Sequence, residues 1–288
     1  TASFAGITAA VTASLVDNKG EYLNAAVKET DTFVDIENLI GGSAGDTLTG
    51  DDGSNMLDGG AGNDTLNGGK GNDTLNGGLG ADTLNGGDEN DSVSYARSAV
   101  GVTVVLDGVT RGIGGDAAGD KLGADIESLT GSSKDDKLTG NTGVNLLSGG
   151  FGNDTINGGG DDDELEGAQG NDTLIGGAGK DDLNGGDGID TASYAAAGGA
   201  VNVTAEGNGF GSDAEGDTLT GVENIIGSDF GDTLGGDGSK ANTLTGGKGD
   251  DNLADDLAGD GIDTLLGGEG NDRITGLAGD KLDGGVGD

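Results

Sequence analysis

Through most of this chain of 288 residues an aspartate returns every nine residues, with a few breaks in step. The series is Asp46, Asp64, Asp73, Asp82 and Asp91, then Asp136, Asp154, Asp163, Asp172, Asp181 and Asp190, then Asp232, Asp251, Asp263 and Asp272, with asparagine in the same place at Asn55, Asn145 and Asn242. A carboxylate held at a fixed step in stacked coils, about 4.8 Å apart, forms a column of like charge, which is costly unless a cation sits between its members. Carboxylates together with backbone carbonyls make an all-oxygen ligand set, the preference of hard ions, and a pliant glycine loop suits Ca²⁺ better than strictly octahedral Mg²⁺. Zinc would ask for histidine or thiolate, and the chain has neither. The expected ligand is calcium, several ions of it.

The elements that must position these carboxylates are written in the same repeat. From Gly41 to Ser94 six nonapeptides follow without a gap, among them GGAGNDTLN, GGKGNDTLN and GGLGADTLN, and seven more run from Gly131 to Ser193. A third block starts at Gly227 and is less regular, with an extra residue in GDGSKANTLT, three inserted residues at Asp255–Leu257 and a shortened GLAGDKLD. Glycine reaches φ > 0 without penalty, so the G-G-x-G-x stretch is predicted to turn tightly and aim its carbonyls at one point. The last three residues alternate polar, apolar, polar, the period of a short strand. Only the middle one is expected to face inward: Leu66, Leu75, Leu84, Leu147, Ile156, Leu165, Leu174 and Leu183. Two turns and two strands close an 18-residue coil, and stacked coils give two parallel sheets face to face. The fold class is all-β, a parallel β-solenoid.

Composition narrows the function classes. Acidic residues number 53 against 13 basic ones, a formal charge of −40. That argues against nucleic acid and against anionic membrane surfaces, both of which call for basic patches. No apolar run approaches the ~18 residues of a membrane span, so no membrane insertion is expected. Absence of cysteine removes disulfides and thiol nucleophiles, and absence of histidine removes the commonest general base, so no enzyme is expected. An acidic, glycine-rich disordered linker is the competing reading of the composition, but a linker has no reason to keep leucine in strict step.

The phrase GGAGNDTLN and its neighbours resemble G-G-x-G-x-D-x-U-x, the nonapeptide of the repeats-in-toxin (RTX) calcium-binding family, over a little more than half of the chain. The resemblance implies a parallel β-roll with Ca²⁺ between turns two phrases apart on one edge. It also implies bacterial type I secretion, and folding outside the cell where calcium is abundant. Carried over, the sixth-place aspartates supply side-chain oxygens. First and third residues of each turn, such as Gly59 and Ala61 or Gly68 and Lys70, supply carbonyls. Asn55, Asn145, Asn242, Glu89 in place of the third glycine, and the short Gly276–Asp280 loop depart from the pattern, and sites there are expected to be weaker.

A longer period overlies the short one. Residues 94–131 parallel residues 193–227, and residues 4–41 are a third copy; aligning Glu37, Glu127 and Glu223 shows it. Runs such as Val100, Val102, Val104 and Val201, Val203 read as strands, and Ile36, Leu39, Ile126, Leu129, Ile225 and Ile226 are predicted to close core layers. The resulting organisation is 1–94, 95–193 and 194–288, read as wider coils of one continuous solenoid. Joined end to end, the termini read GGVGDTASFA, close to the internal GGDGIDTASYA. Head-to-tail association of copies follows as an expectation, since open coil edges template pairing; a fragment of a longer array reads the same way.

Several apparent motifs carry no weight. Gly41–Gly45 matches G-x-S-x-G but lies inside a nonapeptide, without a histidine for a triad. The Asn-Asp-Thr and Asn-Asp-Ser sequons at Asn63, Asn72, Asn90, Asn153 and Asn171 fall out of the repeat. The outward Thr65/Asn67, Thr74/Asn76 and Thr83/Asn85 read as polar ladders on a solvated face. The expected function is a secreted, calcium-binding structural β-roll within an extended extracellular or cell-surface assembly: filament, surface layer, matrix or adhesin stalk. The alternative is the calcium-binding secretion and folding module of a larger secreted enzyme or toxin.

Overall fold

The computed structural model describes residues 1–24, 27–237, 240–255 and 261–287, which fall into two compact units, Thr1–Asn141 and Thr142–Asp288. Part of the 255–257 insertion and the terminal Asp288 lie outside the described residues. Both units are built almost wholly from strands, with single 3₁₀ turns at Gly115–Ala117 and Ser212–Ala214. Each is a parallel β-roll.

In the first unit one sheet runs Ala2–Ser3, Asn38–Ile40, Met56–Ala61, Thr74–Leu79, Ser92–Ser94 and Ser128–Thr130, every pair parallel. The opposing sheet holds Lys121–Leu122, Thr83–Asp88, Thr65–Lys70, Thr47–Thr49 and Val11–Ser14. In the second unit Leu146–Phe151, Glu164–Gln169, Asp182–Asp187 and Thr218–Thr220 form one sheet. Thr155–Gly160, Thr173–Ala178, Thr191–Ser193, Asn224–Ile226, Thr243–Lys248, Thr264–Glu269 and Lys281–Asp283 form another. Partners stand 18 residues apart within a regular block, so Leu48, Leu66 and Leu84 stack in one row and Leu147, Leu165 and Leu183 in another. All six are fully buried.

The strands are longer than the alternation predicts. Thr65–Lys70 and its equivalents span six residues, taking in both glycines and the third residue of the next phrase. The turn therefore shrinks to three residues. Glycine permits this because the second glycine keeps its ladder pairing at positive φ, as Gly78 does at 87° opposite Gly60. The inward set is wider too, since Gly59, Gly68 and Gly77 are buried along with the leucines.

The connecting segments differ from one another. Val102, Val104, Val201 and Val203 are buried as expected, but Val100 is 53 % exposed and precedes the strand Thr103–Val105. Leu39, Ile126, Leu129 and Ile225 close core layers, whereas Ile36 and Ile226 are only half-buried. The N-terminal copy adds an antiparallel meander, Val11–Ser14 with Lys19–Asn24 and then Val27–Thr32, which the other two copies lack.

Candidate metal centres

Sixth-place aspartates such as Asp64, Asp73, Asp82, Asp163 and Asp181 close three-residue turns between two strands, whereas Asp46, Asp136 and Asp232 close turns of six, and the side chain folds back under the first glycine of its own phrase. Asp64, Asp73, Asp82, Asp91, Asp163, Asp181, Asp190, Asp251 and Asp263 are at most 3 % exposed, and Asp272 is half-buried. One oxygen of each is fixed by the coil before it. The Asp46 N–H donates to Asp64 Oδ1 at 2.7 Å, Asp64 N–H to Asp82 Oδ1 at 2.8 Å, and Asp73 N–H to Asp91 Oδ1 at 2.8 Å. The second unit repeats this from Asn145 to Asp163 and from Asp163 to Asp181, and in its later coils from Asp232 to Asp251 and from Asp251 to Asp272. Asp154 and Asp172 continue the chain of bonds towards Asp190. The columns expected from the spacing are present.

The other oxygen, Oδ2, is buried and meets no hydrogen-bond donor at Asp64, Asp73, Asp82, Asp91, Asp163, Asp181, Asp190, Asp251, Asp263 and Asp272. Buried polar atoms are nearly always partnered, so a row of orphaned carboxylate oxygens at these turns asks for a partner of opposite charge. What faces them is more oxygen. A Cβ placed on Gly59 would lie 2.4 Å from Asp64 Oδ2 and 2.6 Å from the Gly77 carbonyl oxygen, so these two atoms converge on the space that glycine leaves open. Burial pushes the carboxyls of Asp64, Asp82, Asp91, Asp190 and Asp251 up to about 6 and that of Asp163 to about 7. The N–H of the preceding coil offsets part of this, and neighbouring carboxylates add to it.

Asp46, Asp136 and Asp232 are different. Each opens a block, and both its oxygens are used. Oδ1 accepts the N–H of Val11, Val102 or Val201, and Oδ2 accepts the N–H of Gly42, Ser132 or Ser228 at 2.5 to 2.6 Å. Asn55 and Asn242 likewise spend Oδ1 locally, on the N–H of Asp51 and Asp237. Of the four expected carbonyls, Gly59 O converges with Asp46 Oδ2, and Gly68 O with Asn55 Oδ1, each pair within 2.6 Å of where a Gly41 or Gly50 Cβ would sit. Ala61 and Lys70 lie at the outer strand ends, opposite Leu79 and Asp88.

Sequence reasoning passed over the residues that end the columns. Asp120 Oδ1 accepts the Asp82 N–H at 2.8 Å and Asp217 Oδ1 the Asp181 N–H at 2.9 Å, across longer loops. Their Gly-Asp-x-Leu context, GDKL and GDTL, is the tail of the nonapeptide and was the available signal. Glu127 and Glu223, used only to align the copies, accept the N–H of Asp91 and Asp190 through Oε2. Glu223 is buried and its Oε1 pairs with Lys240. The dismissed sequon asparagines also have a structural role: Asn63, Asn153 and Asn171 accept N–H groups one coil on, from Ala81, Asn171 and Ile189.

Parallel coils with an orphaned, buried carboxylate oxygen in turn after turn make a β-roll whose turns offer oxygen donors suited to hard cations. The RTX calcium-binding nonapeptide repeat model matches residues 34–66, 58–93, 123–156, 157–192 and 257–288, more than half of the chain. The chain belongs to that family of calcium-binding repeat proteins. No curated protein matches it. Among the described residues no helix is long and apolar enough to cross a membrane.

Proposed function

We propose that the chain is a secreted structural protein whose rolls fold as calcium arrives and then serve in an extended extracellular assembly, a filament, surface layer, matrix or adhesin stalk. The observation that carries the calcium half is the row of buried Oδ2 atoms without donors, from Asp64 to Asp91 and again at Asp163, Asp181 and Asp190. In that reading these aspartates hold the ions with the carbonyls that face their free oxygens, such as Gly77 O beside Asp64 and Gly86 O beside Asp73. One carboxylate per turn makes modest sites, of the order of the ~10⁻⁴–10⁻³ M typical of extracellular modules. Such sites stay empty in a cytosol and fill outside it, and binding free energy becomes folding free energy.

Support for the assembly half comes from the long repeat, written three times in the chain, and from the outward polar ladders, where Asn85 donates its side-chain amide to Asn67 at 2.8 Å. Rolls of one kind joined head to tail give an open filament.

The deciding experiment is light scattering on chain purified in chelator while Ca²⁺ is added. Growth into long particles that dissolve again in chelator is the expected result. Contraction to a compact monomer would keep calcium-driven folding, discard the assembly and favour a calcium-binding module of a larger secreted enzyme or toxin. No change at millimolar calcium would discard both.

A further inference from the structure

One place in the second unit gathers more carboxylate than the repeat supplies. Glycine stands first in the other phrases, because a Cβ there runs into the Oδ2 of the phrase's own aspartate: 2.2 Å away for Gly246 above Asp251 and for Gly267 above Asp272. Asp255 breaks that rule. The Gly236 N–H donates to Ala254 O and the Asp255 N–H to Thr275 O, at 3.1 and 3.0 Å, so Asp255 occupies the first place between Gly236 and Gly276. It is 1 % exposed. The residue type that elsewhere leaves room for the orphaned oxygen is replaced here by a second acid.

A carboxylate oxygen from each of Asp255, Asp263 and Asp280 lies within 4.8 Å of the other two. Asp263 is fully buried; its Oδ1 accepts the Asn242 N–H at 2.8 Å, and its Oδ2 meets no hydrogen-bond donor. Asp280 is held in place by the N–H groups of Asp263 and Leu277. Two buried carboxylates and a half-buried third at this spacing repel strongly unless a cation or protons join them. From this we infer that Asp255, Asp263 and Asp280 form a separate three-carboxylate site for a hard cation, Ca²⁺ or a trivalent lanthanide, tighter than the repeat sites because affinity in oxygen cages rises with ligand charge. The inference extends the calcium reading above, and its test keeps the two apart.

The experiment is isothermal titration of the whole chain with Ca²⁺ and, separately, Tb³⁺, on wild type, Asp255→Gly and Asp255→Asn. Asp255→Gly restores the residue of the other phrases, and Asp255→Asn keeps the side-chain shape while removing its charge. Wild type is expected to show one site at least about tenfold tighter than the rest. Both variants are expected to lose that site and keep the remainder. Variants that titrate like wild type, in number and affinity, would overturn the three-carboxylate site and leave the repeat sites standing. A wild type that takes up neither ion would overturn both readings.

Discussion

The Tyr95 hydroxyl donates to Oδ2 of Asp120 at 2.9 Å, and Tyr194 makes the same bond to Asp217 at the same distance. The oxygen left orphaned within the columns is thus satisfied by a phenol where the Asp64–Asp82 and Asp163–Asp181 columns end. The third copy supplies the control. Phe4 stands where Tyr95 and Tyr194 stand in TASF, SVSY and TASY, and it packs on Tyr22 and Phe33, ring centres 6.0 and 6.2 Å away, instead of meeting a buried acid. Burial, then the facing carboxylate, hold the Tyr95 hydroxyl protonated well above its usual range.

Removing that hydroxyl should expose the cost of an unpaired buried oxygen. Tyr95→Phe or Tyr194→Phe is expected to lower the stability of the calcium-loaded chain by about 1–3 kcal/mol. Urea denaturation at fixed calcium measures it. Phe4→Tyr, which offers a hydroxyl with no buried acid to meet, should bring no gain.

Acid should partly replace calcium. Burial raises the folded pKa of Asp64 and Asp82 to about 6 and that of Asp163 to about 7, above the unfolded value of 3.8. Folding therefore takes up protons between these limits, and stability without calcium falls as pH rises through that window. In chelator, β-structure followed by circular dichroism should be greater at pH 4.5 than at pH 7.5. Added calcium should release protons near pH 6, and its apparent affinity should rise with pH.

Two aspartates of the same phrase position should respond in opposite ways. Asp82 has an orphaned Oδ2, so Asp82→Asn should raise the calcium midpoint of folding by about three- to tenfold, with little effect on the acid-folded form. Asp46 uses both oxygens on backbone N–H groups, so Asp46→Asn should leave calcium stoichiometry unchanged. It should cost about 1–3 kcal/mol in either condition, because one N–H loses its acceptor. Calorimetric titration separates the two.

Glycine in the second place is required by conformation. Gly78 has φ 87°, and a Cβ on it would lie 2.1 Å from the Gly60 carbonyl oxygen. Gly78→Ala is expected to cost more than the ~1–2 kcal/mol of a left-handed alanine alone. Ala168 already takes that place at φ 74°, so Ala168→Gly should raise stability by about 1 kcal/mol, read from the same denaturation curves.

The nine-residue spacing by itself determined the coil length, the pairing of Leu66 with Leu84, and the column that joins Asp64 to Asp82, because a strict period leaves parallel stacking one register. It also determined the ligand class, since only oxygen donors recur. Six-residue strands were not legible, because glycine has no side chain to show an alternation and its backbone pairs as well as any other. The split among the aspartates was not legible either. Asp46 and Asp82 share one phrase position, and only folding brings the Gly42 and Val11 N–H groups to Asp46 while leaving Asp82 Oδ2 facing oxygen. Tyr95 and Asp120 are 25 residues apart, outside the short period, and Asp255 meets Asp280 across a similar gap. Contacts of that range depend on how the connecting loops close, which no local spacing encodes; the tertiary structure alone decided which carboxylates, like that of Asp46, are closed by the protein and which, like that of Asp82, keep an oxygen that meets no donor.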